Sequence, residues 1–174
     1  MQLTSELSPE SGFSVALRKM NLNGKEFRFS DLTFADLQGS ELENVDLTGA
    51  DMKHSILSYS NMKYARLTHA QLTYSKLNGC NLTGALLKSA DLREADLRYS
   101  KLLSVDLRKA DLSEADLRFC DLRYADLRGA NLSGVQMDGV DLTYSWYNDE
   151  TIFPFGSEEL YKRGLIFVSH YSEW

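Results

Sequence analysis

The chain is poor in the residues and patterns on which most protein chemistry depends. Among its 174 residues are only two cysteines, Cys80 and Cys120, too few for a disulfide framework. Its three histidines, His54, His69 and His170, lack ligand-like spacing, so no metal site is expected. There is no Gly-rich phosphate loop, no GxSxG and no HExxH, and neither enzymatic activity nor a cofactor is expected. Positive charge is also in deficit. A net charge of −6 and a pI near 5.1 argue against direct nucleic-acid binding, which needs a basic face. No apolar run approaches the roughly 18 residues that span a bilayer. Met1 to Glu10 lack the basic and apolar regions of a signal peptide, so a cytoplasmic protein without membrane contact is expected.

What the sequence has in abundance is a period of five. From Leu22 to Leu142 every fifth residue is large and apolar, with Phe27, Met52, Met62 and Met137 the only departures from leucine. Two residues before each stands a mostly small side chain, such as Ala35, Ser40, Val45 or Ala50; Met20 and Lys25 at the start are exceptions. Neither a 3.6-residue helix nor a two-residue strand sustains this period. A short strand followed by a corner does. Alternate side chains of a strand share a face, so the small residue and the leucine point inward and the residue between them points out. Gly24, Gly39, Gly49, Gly79, Gly84, Gly129, Gly134 and Gly139 all fall on the last corner position, where an unusual φ is predicted.

The units read A(D/N)LxX, as in Ala90-Asp91-Leu92-Arg93-Glu94 and Ala130-Asn131-Leu132-Ser133-Gly134. Over about 125 residues this pattern resembles the pentapeptide-repeat family, cyanobacterial members included. The resemblance implies an all-β fold, a right-handed quadrilateral parallel β-helix with four units, or 20 residues, per coil. Period alone does not distinguish four sides from three. At ~4.8 Å per coil such a rod is roughly 30 Å long. Cys80 and Cys120 then stack two coils apart, roughly 10 Å, beyond the ~7 Å reach of a disulfide, and read as small core residues.

A β-helix exposes sheet edges at its ends, and caps are expected there. Ser8-Pro9-Glu10 followed by Phe13, Ala16, Leu17 and Met20 at helical spacing predicts a short N-terminal helix within a cap over residues 1–19. The solenoid is assigned to 20–146. Residues 147–174 form the predicted C-terminal cap, with a short helix opening at Ser157 and ending at Gly164, then an apolar segment, Leu165 to Val168, as strand or plug. The aromatic tail leaves room for a homodimer through this cap.

Charge is uneven along the rod. From Met20 to Ser60 three basic side chains face seven acidic ones; from Asn61 to Ala90 four basic ones (Lys63, Arg66, Lys76, Lys88) stand with no acidic one. From Asp91 to Trp146 Asp-Leu-Arg units predominate and predict a solvated charge lattice. Folded at 20 residues per coil, Lys63, Tyr64, Arg66, His69 and Lys88 are expected around one corner of the basic waist. Phe34, His54 and Tyr74 form a column beside it. Aromatic residues and arginine are enriched at interface centres. Lys63, Tyr64, Arg66, His69, Tyr74 and Lys88 are therefore candidates for binding a protein partner of unknown identity, in an interaction or regulatory role. The competing expectation is that the aromatics only brace neighbouring coils. A second branch of the resembled family implies DNA mimicry directed at DNA gyrase. That mechanism wants a strongly negative rod, and the basic waist departs from it.

Overall fold

The computed structural model describes residues 16–169. Each outward mid-unit residue pairs in parallel with the residue 20 positions on: Asn21 with Glu41, Glu26 with Asp46, Asp31 with Asp51, Asp36 with Ile56. Four units therefore close one coil. Successive faces are numbered here by their inward columns: face 1 holds Leu42, Met62 and Leu82; face 2, Leu47, Leu67 and Leu87; face 3, Met52, Leu72 and Leu92; face 4, Leu57, Leu77 and Leu97. These side chains are almost wholly buried, as are the small residues Ala65, Ala70, Cys80 and Ala85 beside them. At about 1.5–3 kcal/mol per buried leucine, the four columns are the main term holding the coils in register.

The repeat accounts for every backbone N–H of a unit. In the unit Val105 to Lys109, Asp106 N–H donates down the rod to Ala85 O at 3.0 Å, while Leu107 and Lys109 N–H donate up to Asp126 O and Arg128 O at 2.9 and 3.1 Å. Val105 N–H closes the preceding turn on Leu102 O at 3.2 Å. The fifth N–H, on Arg108, is taken by the unit's own Asp106 carboxylate at 3.1 Å. Buried or half-buried backbone donors rarely go unmatched, so an acceptor at the outward position completes the unit. This is why Asp or Asn recurs between the small residue and the leucine.

The second corner residue of the repeat has φ between 53° and 70° throughout, as predicted from the glycines, and 18 non-glycine residues carry the strain of that position, among them Phe34, His54, Tyr64 and Tyr74. Turns with positive φ only at that residue and a closing hydrogen bond, as Lys25 N–H to Leu22 O at 3.1 Å, are type II turns.

The coil extends beyond the predicted bounds. Ala16 already pairs with Asp36, Leu17 is buried and Lys19 has φ 53°, so residues 16–19 form a face rather than the end of a cap helix. The physical reason is that Leu17 stands five before Leu22, so the apolar spacing read as helical also fits the repeat. The rest of that predicted helix lies outside the described residues. At the other end β1 (Trp146–Tyr147) continues face 2 and pairs in parallel with β2 (Ile166–Phe167). Ile152 pairs with Asn131, one residue beyond the regular spacing. Buried Asn148 absorbs the inserted residue by accepting Gly129 N–H at 2.9 Å. Between the strands lies the helix α1 (Ser157–Lys162), which seats Leu160 in the protein; Phe153, Phe155 and Leu165 pack on the core. The Leu165–Val168 segment thus supplies a strand.

Candidate functional site

The outer surface divides into two chemistries. In the upper half six of the aspartates that cap their own turns also hold the arginine that follows, while Asp111 and Asp141 cap Ser113 and Thr143 instead. Asp116 accepts Arg118 N–H at 3.2 Å and the guanidinium at 2.9 and 2.6 Å. The same arrangement recurs at Asp91–Arg93, Asp96–Arg98, Asp106–Arg108, Asp121–Arg123 and Asp126–Arg128. Arg98 and Arg108 reach onward to Asp116 and Asp126 of the next coil, both at 3.6 Å. The hydrogen bond from Arg118 holds the Asp116 carboxyl below its ordinary pKa despite partial burial, and Arg93 and Arg123 do the same for Asp91 and Asp121. The charge lattice predicted from the Asp-Leu-Arg units is present.

The waist breaks both rules. On face 2 the outward column runs Glu26, Asp46, Arg66, Leu86, Asp106, Asp126. Arg66 and Leu86 stand where Asp or Asn would cap the turn, and among the described residues no side chain caps the N–H of Thr68 or Lys88. Every arginine of the chain from Arg18 to Arg163 lies in an ion pair, Arg66 with Asp46 at 3.5 Å. By contrast Lys63, Lys76, Lys88 and Lys101 form no ion pair among the described residues. Leu86 points outward and is 39% exposed.

The six candidate residues are not gathered as expected. Lys63 and Tyr64 lie on the corner between faces 1 and 2, Arg66 on face 2 itself, and His69 and Lys88 on the corner between faces 2 and 3; His69 N–H donates to Lys88 O at 3.1 Å. They outline one face with its two edges, not one corner. The correction follows from the unit length: five residues carry the chain across a whole face. Tyr74 is a further face away. Its ring stacks on His54 at 5.1 Å, His54 stacks on Phe34 at 4.9 Å, and the Tyr74 hydroxyl donates to Glu94 at 2.6 Å. The Tyr64 ring lies over Gly84, where an added Cβ would fall 2.7 Å from it. Tyr64 and Tyr74 therefore do brace adjacent coils. Leu86 was missed by reading the chain for charge and aromatics. The signal was its position: a leucine in an Asp/Asn slot.

The remaining features are inert or structural. Burial pushes the thiols of Cys80 and Cys120 up to about 11 and about 12, and each donates to a backbone carbonyl at 2.9 Å. No group of three or more metal-ligating side chains occurs among the described residues, and no helix among them is long and apolar enough to cross a membrane. A shallow groove between the last coil and α1 is lined by Asp141, Thr143, Lys162 and Arg163. Its two basic groups already pair with Glu158 and Glu159.

Comparison with known proteins gives the following. The family described as pentapeptide repeats matches in eight copies, over residues 14–49, 35–73, 46–84, 65–102, 75–113 and 110–143. No curated protein matches. Among solved structures, the chain is similar to alr5209, a pentapeptide repeat protein from Nostoc PCC 7120, at 37% identity and TM-score 0.57, over 59% of this chain and 84% of that one. It is also similar to HetL of the same organism, a pentapeptide repeat protein involved in heterocyst differentiation regulation, at 29% identity and TM-score 0.30, over 87% and 76% of the two chains. A third is QnrB1, a plasmid-mediated fluoroquinolone resistance protein, at 15% identity and TM-score 0.53, over 89% and 90%. This last likeness concerns the fold alone.

Proposed function

The chain belongs to the pentapeptide-repeat family, and from that premise we propose that it works without chemistry of its own, as an interaction or regulatory surface for a protein partner. The observation that carries this reading is the waist of face 2. There, among the described residues, the repeat forgoes its caps at Thr68 and Lys88 and leaves Lys63 and Lys88 without ion pairs, while every arginine is matched. Local rules are broken at functional sites more often than elsewhere. The same lysines weigh against DNA mimicry of the gyrase-binding kind, which calls for an unbroken negative surface.

A photo-crosslinking amino acid placed at position 88, and separately at Ser133 on the corner leading out of face 3, tests the reading in lysate of the host cell. A discrete protein adduct from position 88 and none from 133 is expected. Adducts from 133 alone would move the surface to another face. No adduct from any outward position would contradict an interaction role.

A further inference from the structure

The occupant of face 2 can be narrowed by its charge, its height and its centre; the argument rests on the reading just given. The uncapped stretch is short. Arg66 and Leu86 are successive members of the face 2 column, bounded by Asp46 below and Asp106 above. With ~4.8 Å between coils, the stretch free of carboxylates is on the order of 10 Å tall. Across the rod it is flanked on one edge by Lys63 and on the other by Lys88. The carboxylates that bound it are not equivalent: Asp46 is engaged by Arg66 at 3.5 Å and Arg28 at 4.0 Å, and Asp106 by Arg108 at 2.7 Å. The cations without an ion pair among the described residues are the two lysines on the edges, Lys88 acting on Asp106 only at longer range.

The centre is apolar. Leu86 is exposed at 39%, and Gly84, two residues before it, is covered by the Tyr64 ring. Leu103, half-buried, extends this surface upward on the same corner, its carbonyl accepting Gly84 N–H at 2.9 Å. An apolar centre rimmed by cations is the complement of a short acidic segment carrying one apolar side chain.

A nucleic acid does not fit this pattern. A duplex carries one charge per about 1.7 Å, so along the rod it would lie against Asp46 or Asp106, and across the rod it would meet only three cations. A lipid surface, being flat and extended, would press on the same carboxylates. We infer that face 2 binds a short acidic peptide segment of its partner, with an apolar side chain seated on Leu86 and carboxylates held by Lys63 and Lys88.

The test uses the whole chain and an immobilised array of dodecapeptides. Each has Asp and Glu at varied positions around a central Leu, Ile, Phe or Trp, and a matched set carries Lys and Arg instead. Acidic members are expected to bind, more weakly as salt rises. The Lys63→Glu/Lys88→Glu double variant should bind at least tenfold more weakly, as should Leu86→Ala. A Lys19→Glu/Lys25→Glu variant, with the same charge change at the far end of the rod, should bind as the parent does. Melting curves confirm that each variant is folded. The inference is overturned if acidic peptides bind no better than their basic counterparts. It is also overturned if the two double variants bind alike, or if a 20-base-pair duplex or phosphatidylserine vesicles bind with the same dependence on Lys63 and Lys88. In any of these cases a crosslinked partner at position 88 would leave the interaction role standing with a different ligand.

Discussion

At the scale of the residue, the outward Asp or Asn does two jobs that can be separated. At position 116 the carboxylate accepts the Arg118 N–H and also binds its guanidinium. Asp116→Asn keeps an oxygen for the N–H and loses the charge; Asp116→Ala loses both. The ion pair is partly exposed and contributes little, whereas a lost capping acceptor costs about 1 kcal/mol. Denaturant unfolding should therefore place the Ala variant below the Asn variant by roughly that amount. The same residues set an acid limit. Asp91, Asp116 and Asp121 have lowered pKa values, so their contribution is present above the unfolded-state value of about 3.9 and is lost as pH falls through the lower folded-state values. The melting temperature of the parent chain should vary little between pH 7 and 5 from this cause and fall steeply below about pH 4.

At the scale of the element, the corners carry the less legible part of the fold. The five-residue period foretells the strand, the inward leucines and the glycine φ, because each is a local consequence of which residue points where. It also puts Phe, Tyr and His at the same left-handed position, but it does not foretell which contacts 20 residues away meet their cost. Tyr99 stacks on Phe119 at 5.1 Å, and Phe119 in turn lies over Gly139. Tyr59 lies over Gly79, where a Cβ would fall 2.6 Å from the ring. Glycine is needed at Gly79 for two reasons, positive φ and the ring above it, but at Gly24 for φ alone, since nothing lies within 4 Å of its missing Cβ. Gly24→Ala should cost about 1 kcal/mol for the left-handed backbone. Gly79→Ala should cost clearly more, and thermal denaturation should show part of that excess recovered when Tyr59→Ala is added. The waist candidates follow the same logic. Lys63, Arg66 and Lys88 were legible from charge along the chain. The bracing of neighbouring coils by Tyr64 and Tyr74 was legible too, as the competing expectation, because a 20-residue coil stacks Phe34, His54 and Tyr74; that the Tyr64 ring covers Gly84 was not.

At the scale of the whole molecule, the rod is a stack of coils closed at one end by β2 and α1, with a charge lattice above and an acidic surface below. Between them lies the stretch of face 2 where, among the described residues, Arg66 and Leu86 leave two successive turns uncapped, as Ile56 and Lys76 do on face 4. If stability alone had shaped that stretch, Asp or Asn would be expected at 86 as at 106 and 126. A leucine there exposes apolar surface and leaves a turn uncapped, which is costly unless something covers it.

The most direct measurement is therefore the melting temperature of Leu86→Asp together with its capture of protein from host-cell lysate. Asp at 86 supplies the missing acceptor for Lys88 N–H and sits between Arg66 and Lys88. The account predicts that this variant melts higher than the parent while the partner is no longer captured. A variant that melts lower, or one that captures the partner undiminished, would contradict the claim that face 2 gives up its cap in favour of binding.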